Sequence, residues 1–168
     1  LTRTSISTSV GSLSDIDAEP VIHEGRVYAI GQGGRMVAVE LTTGQRVWEL
    51  NIAGTSTPWV AGEWIFVVTD QQQILAIARA AGRVRWMTQL PRWRDEEDRE
   101  GAIRWIGPVL AGGRLIVASS EGHIAQVSPL DATIQSTVDT NHEFSLPMAV
   151  AENTLFLLSA AGRLIAYR

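Results

Sequence analysis

Several features common in proteins are missing from this sequence, and each absence excludes a class of site. There is no cysteine, so the chain has no disulfide framework, no thiolate metal site and no cysteine nucleophile. All 14 cationic residues are arginine. The net charge is −4 and no basic stripe follows any apolar segment, which argues against binding to nucleic acid. No apolar segment reaches the roughly 18 residues that a membrane-spanning helix needs.

The sequence also lacks the motifs of common enzyme classes. It contains no G-x-G-x-x-G segment that opens a helix, no P-loop and no G-x-S-x-G nucleophile elbow. The three histidines, His23, His123 and His142, share no metal-ligand spacing. The acidic cluster 96–98 is interpreted as a solvated face. We therefore predict no catalytic residue, no cofactor-binding residue and no metal site.

What the chain does contain is one unit of about 40 residues, repeated four times. The units open at four prolines: Pro20, Pro58, Pro108 and Pro147. The repeats span about 20–57, 58–107, 108–146 and 147–168. Each opening proline leads into short apolar strands separated by turns. A repeat of this length with four short strands is typical of an all-β protein of the β-propeller class, in which each unit is a blade.

The spacing of glycine and tryptophan strengthens this prediction. Gly44 and Gly82 are 38 residues apart, and so are Trp48 and Trp86. The glycines fall where a tight turn needs positive φ, which glycine adopts at little cost. A large aromatic side chain at a fixed offset is expected to pack between adjacent blades.

The third and fourth units depart from the pattern. The third has Ala132 in place of the glycine and Ser136 in place of the tryptophan, so its outer strand is expected to be the weaker one. The fourth unit ends at Arg168 after its third strand. An open array would expose apolar faces at both ends, which soluble monomers rarely tolerate. Either the chain is half of a larger ring, or copies of it associate.

The second unit carries an insertion, residues 92–104, in which nine of thirteen residues are charged. We expect it to be exposed and mobile, with a short helical turn over residues 94–100. An alternative is a recognition loop, because Trp93 and Trp105 flank the charges and aromatic residues anchor interfaces.

An acidic pair, Asp15 and Asp17, precedes the first inner strand. Alternation along an extended segment places both carboxylates on the same side. By itself such a pair fits turn capping or simple solvation as well as a binding role.

The segments AVELTTGQRVW (38–48) and AIARAAGRVRW (76–86) resemble the repeat signature of quinoprotein-like propellers. More closely, LSDIDAEPVIHEGRVYAI, GRMVAVELTTGQ, SSEGHIAQV and AAGRLIAYR resemble the C-terminal half of the BamB family. These are outer-membrane β-barrel assembly lipoproteins of the periplasm. The resemblance extends from about Leu13 to Arg168, and the insertion departs from it.

The resemblance implies half of an eight-bladed ring and a non-catalytic scaffold without a cofactor. It implies binding to the POTRA repeats of the central barrel-assembly protein, with Asp15 and Asp17 on the partner surface. It also implies attachment to the outer membrane through a lipidated cysteine, which these 168 residues do not contain.

Two other functions share the repeat signature. A quinoprotein dehydrogenase would need a calcium site and, typically, a disulfide of adjacent cysteines, whereas the sequence has neither a Ca²⁺-loop spacing nor a cysteine. A generic protein-interaction propeller with another partner is the third reading.

Overall fold

A computed structural model describes residues 18–168 of the chain. Every regular element in this range is a β-strand. No helix that could cross a membrane is found in it. The predicted all-β class is therefore confirmed.

The strands of the described residues form five antiparallel sheets, of which four are blades, and successive strands of the chain are also neighbours within each sheet. Blade 1 contains β1 (Val21–His23), β2 (Arg26–Gly31), β3 (Arg35–Glu40) and β4 (Arg46–Leu50). Blade 2 contains β5 (Trp59–Ala61), β6 (Trp64–Val68), β7 (Gln73–Ala78) and β8 (Arg83–Gln89). A separate two-stranded hairpin follows, made of β9 (Trp93–Asp95) and β10 (Glu100–Ala102). Blade 3 contains β11 (Trp105–Ala111), β12 (Arg114–Ser119), β13 (His123–Val127) and β14 (Ile134–Asp139). Blade 4 contains β15 (Ala149–Ala151), β16 (Thr154–Leu158) and β17 (Leu164–Tyr167).

The core lies between the blades, because successive strand residues point to opposite faces of a sheet. Between blades 1 and 2, Tyr28, Ile30, Met36 and Ala38 pack with Ile65, Val67, Leu75 and Ile77. Between blades 2 and 3, Phe66, Val68, Ile74 and Ala76 pack with Leu115, Val117, Ala125 and Val127. Between blades 3 and 4, Ala118 and Ile124 pack with Leu155 and Leu157.

The repeated tryptophans join neighbouring blades, as predicted. The Trp48 indole N–H donates to the backbone oxygen of Arg79 at 2.9 Å, and that of Trp86 donates to Pro129 at 3.1 Å. Both glycine turns have the expected positive φ, 68° at Gly44 and 65° at Gly82.

The outer strand of blade 3 is present despite the two substitutions in its turn and strand. Ala132 takes φ 67°, the conformation that glycine has in the other turns. Strand β14 pairs with β13 from His123–Asp139 to Val127–Ile134, and all six of its residues are exposed. Its lower stability stays a prediction.

The charged insertion is a hairpin, so the predicted helical turn over residues 94–100 is wrong. The Asp95 carboxylate accepts hydrogen bonds from the backbone N–H groups of Glu97 and Asp98, both at 3.0 Å. These bonds favour a turn over a helix because they offer the backbone a local partner. The predicted exposure is confirmed for residues 94–100 but is wrong for Ile103, which packs in the core between blades 2 and 3. The neighbouring Trp105 is buried as well.

Candidate partner-binding surface

The predicted contact residues Asp15 and Asp17 lie outside the described residues. The residues that follow them are placed by contacts with the blades. Ala18 is 2% exposed and belongs to the core between blades 1 and 2. The Glu19 N–H donates to the Thr57 hydroxyl at 3.3 Å. The described chain therefore begins beside the start of the inner strand of blade 2.

A cavity of about 420 Å³ opens at this point, where the segments that lead into the four inner strands converge. It is lined by Glu19, Thr55, Ser56, Thr57, Pro58, Trp59, Ile106, Gly107, Pro108, Val109, Ser145, Pro147 and Met148. Each blade thus contributes a segment that precedes or begins its first strand.

The lining combines four hydroxyl groups and one carboxylate with an aromatic ring, three prolines and three further apolar side chains. Hydroxyls such as Thr55 and Ser145 both donate and accept hydrogen bonds, whereas the Glu19 carboxylate only accepts them. Among the described residues of the lining, Glu19 is the one with an ionisable side chain. Such a surface suits a polypeptide segment with a cationic side chain better than it suits an anion.

The sequence analysis did not predict this cavity, although the sequence contains a pattern that indicates it. The prolines that open the repeats were used only to mark boundaries, yet Pro58, Pro108 and Pro147 all line it. A residue that recurs at the first position of every blade is expected near the axis on which the inner strands converge.

The hairpin between blades 2 and 3 offers a second charged surface. Its tip holds Asp95, Glu96, Glu97, Asp98 and Glu100, all exposed. The Arg94 guanidinium lies 3.7 Å from the Glu121 carboxylate, which ties the hairpin to blade 3. Trp105 does not reach this surface, because it is only 4% exposed and its indole donates to the Pro91 oxygen at 2.8 Å.

His123 forms a pairing that sequence reasoning missed. Its Nδ1 lies 2.5 Å from the Asp139 carboxylate, and the two residues face each other across β13 and β14. Its ring stacks on Trp105 with centroids 6.3 Å apart. In residues 18–168, no cluster of three or more His, Cys, Asp or Glu side chains is arranged to hold a metal ion.

Arg79 links the turns of blades 1 and 2. Its Nη2 lies 2.6 Å from the Glu24 carboxylate and 3.6 Å from that of Glu63. The hydrogen bond to Glu24 raises the pKa of the Arg79 guanidinium above its ordinary value.

The chain is similar to known proteins over most of its length. A family model described as outer membrane protein assembly factor BamB matches residues 1–88 of the 168. The outer membrane protein assembly factor BamB of Alkalilimnicola ehrlichii is 28% identical over 155 residues, which are 92% of this chain and 38% of the relative. The chain thus spans less than two-fifths of the length of that relative.

Solved structures of other proteins share its fold, and two of them illustrate this. The crystal structure of BamB from Moraxella catarrhalis matches with a TM-score of 0.79 and 21% identity, over 95% of this chain and 46% of that one. The quinohemoprotein alcohol dehydrogenase of Comamonas testosteroni matches with a TM-score of 0.60 and 16% identity, over 76% of this chain and 21% of that one. Likeness at this identity shows a common propeller fold.

The family model covers more than half of the sequence. The strands that follow it continue the same blade pattern to Tyr167. The chain belongs to the family of the outer membrane protein assembly factor BamB.

Proposed function

We propose that the chain is a non-catalytic scaffold of the machinery that assembles β-barrel proteins in the outer membrane. The supporting observation is its membership of a family whose curated relative, matched over 92% of the chain, is named an assembly factor. Its place would be the periplasm, at the outer membrane.

The proposed partner is the set of POTRA repeats of the central assembly protein, which the family resemblance implies. Asp15 and Asp17 would contact a basic patch of these repeats. Glu19 and the cavity beside it support this proposal, because they form an acidic, hydrogen-bonding surface that begins two residues after that pair in the sequence. The blades would hold this surface rigid, and the binding energy would orient the partner without a chemical step.

The likeness to a quinohemoprotein dehydrogenase does not favour a second function. It rests on 16% identity and on 21% of the length of that enzyme. Propeller folds host unrelated functions, so a shared fold alone is not an argument for shared chemistry.

The test is calorimetric titration of the chain with isolated POTRA repeats. Charge reversal by Asp15→Arg with Asp17→Arg is expected to weaken binding by about 2 kcal/mol, roughly 30-fold, if the pair is desolvated in the complex. Wild-type affinity is expected to fall as salt is added, because the contact joins opposite charges.

The matched control is Glu97→Arg with Asp98→Arg at the tip of the hairpin, which changes the net charge by the same amount on exposed residues. It is expected to bind like the wild type. Absence of binding by the folded wild type would contradict the proposed function. Equal weakening by both double variants would show a general charge effect and remove Asp15 and Asp17 from the site.

A further inference from the structure

Two buried polar atoms at the junction of blades 1 and 2 have no hydrogen-bond partner among the described residues. They are the hydroxyl oxygen of Tyr28 and Nη1 of Arg79. Tyr28 is completely buried, and the side chain of Arg79 is 13% exposed. Buried polar atoms in proteins nearly always have a partner, because a donor that is buried without one loses its bonds to water. These two atoms therefore indicate a ligand.

The two side chains meet at the same point of the junction, because both are joined to Trp48. The ring centroids of Tyr28 and Trp48 are 6.0 Å apart. The Trp48 indole N–H donates to the backbone oxygen of Arg79 at 2.9 Å. The pKa of the Arg79 guanidinium is raised mainly by the hydrogen bond to Glu24 and to a smaller extent by Tyr28. The phenol and the guanidinium are therefore neighbours.

The junction between blades 2 and 3 has apolar residues at both positions. By strand register, Phe66 of blade 2 corresponds to Tyr28 of blade 1. Pro129 corresponds to Arg79, because each accepts the indole hydrogen bond of the tryptophan in the preceding blade. The hydroxyl and the guanidinium are thus particular to the junction of blades 1 and 2 and are not required by the repeat.

The guanidinium is held in place through its other terminal nitrogen. Arg79 Nη2 lies 2.6 Å from the Glu24 carboxylate and 3.6 Å from that of Glu63. Glu24 has a φ of 45° in the turn between β1 and β2, at a position where blades 2 and 3 have Gly62 and Gly112. A side chain is disfavoured in this left-handed conformation, and here it supplies the carboxylate that binds Nη2. Nη1 is left for a different acceptor.

The charges and donors around this point select the ligand. Nη1 of Arg79 can only donate, so its partner must accept, whereas the Tyr28 hydroxyl can do both. The carboxylates of Glu24 and Glu63 beside the guanidinium oppose an anion, and the guanidinium itself opposes a cation. A water molecule is neutral, small, and both donor and acceptor. The exposed part of the Arg79 side chain gives it a path from solvent.

We propose that one ordered water molecule binds between Tyr28 and Arg79. It accepts a hydrogen bond from Nη1 and donates one to the tyrosine oxygen. Buried waters that satisfy protein polar groups in this way are part of the structure, and their bonds are nearly as favourable as direct ones. The water joins blade 1 to blade 2, and this inference is independent of partner binding.

A high-resolution crystal structure tests the site directly. The expected result is one water peak within about 2.7–3.2 Å of both the Tyr28 oxygen and Arg79 Nη1. A direct hydrogen bond between the two side chains, or no peak between them, would overturn the proposal. So would an anomalous peak at this point in crystals soaked in bromide, because the ligand would then be an anion.

Water magnetic relaxation dispersion, which counts long-lived buried waters, tests the site in solution. Tyr28→Phe removes one partner of the water and copies the residue of the next junction, so it is expected to be folded by circular dichroism and to lose one such water. The control is Tyr167→Phe, the same change at a tyrosine that is 37% exposed, which is expected to keep the wild-type number.

Should Tyr28→Phe not fold, Arg79→Met removes the other partner and is expected to show the same loss of one long-lived water. A folded variant of either kind that keeps the wild-type number would overturn the proposal. Loss of one water in Tyr167→Phe as well would also overturn it, because the effect would then not belong to this junction.

Discussion

At the scale of single residues, the junction of Trp48 with Gly82 joins two blades. The Trp48 ring lies directly over the turn that contains Gly82, and a Cβ at that position would lie 2.6 Å from the ring. Glycine is favoured at position 82 for two reasons: a side chain would collide with the ring, and the φ of 65° disfavours other residues. Local turn chemistry and packing between blades therefore select the same residue.

We predict that Gly82→Ala lowers the free energy of unfolding by about 2–4 kcal/mol. About 1–2 kcal/mol comes from the left-handed backbone, and the rest from overpacking against a rigid indole ring. Gly44→Ala is the matched control, since its φ is 68° and nothing lies within 4 Å of the added Cβ. Urea denaturation of both variants measures the difference, and equal losses would show that contact with Trp48 adds no cost.

At the scale of elements, the β9–β10 hairpin combines an exposed tip with a buried base. Ile103 is 4% exposed and packs in the core between blades 2 and 3. The charges between Trp93 and Ala102 are solvated or satisfied by local bonds, such as the one from the Arg92 N–H to the Glu96 carboxylate at 2.8 Å. Changes at the tip should therefore affect the free energy of unfolding much less than changes at the base.

Replacing residues 94–101 by an Asn-Gly turn is expected to change the free energy of unfolding by no more than about 0.5 kcal/mol, as is usual for changes at the surface. Ile103→Ala is expected to cost about 2–5 kcal/mol, because it leaves a cavity in the core. Urea denaturation compares them. A shortened hairpin that loses as much stability as Ile103→Ala would show that the tip is structural.

At the scale of the whole molecule, blades 2 and 3 each pack between two other blades in the part of the chain that the structure describes, whereas blades 1 and 4 each pack on one. Both faces of blade 2 contribute residues to interblade cores, whereas Leu164 and Ala166 of blade 4 are exposed. Local opening is cheaper where fewer apolar contacts hold a segment. Amide exchange should therefore be slow in β6 and β7 and faster in β16 and β17.

The sequence by itself determined the blade pattern, because strands and turns depend mainly on residues that are close together along the chain. The alternation of apolar residues and the turn glycines, such as Gly44, are determined by neighbours a few residues away. The interval from Trp48 to Trp86 is visible because the unit repeats at a fixed length. For this reason the inner strands, the fold class and the family resemblance could all be predicted.

Only the tertiary structure decided the contacts between residues that are far apart along the chain. Asp139 reaches His123 through strand register, and Trp105 turns inward because its indole finds the Pro91 oxygen. The cavity beside Glu19 exists because segments of four blades converge on it. Leu164 is 71% exposed because no described blade packs on its side of blade 4. Spacing along a chain cannot encode such relations, because they arise from how whole blades pack around a common centre.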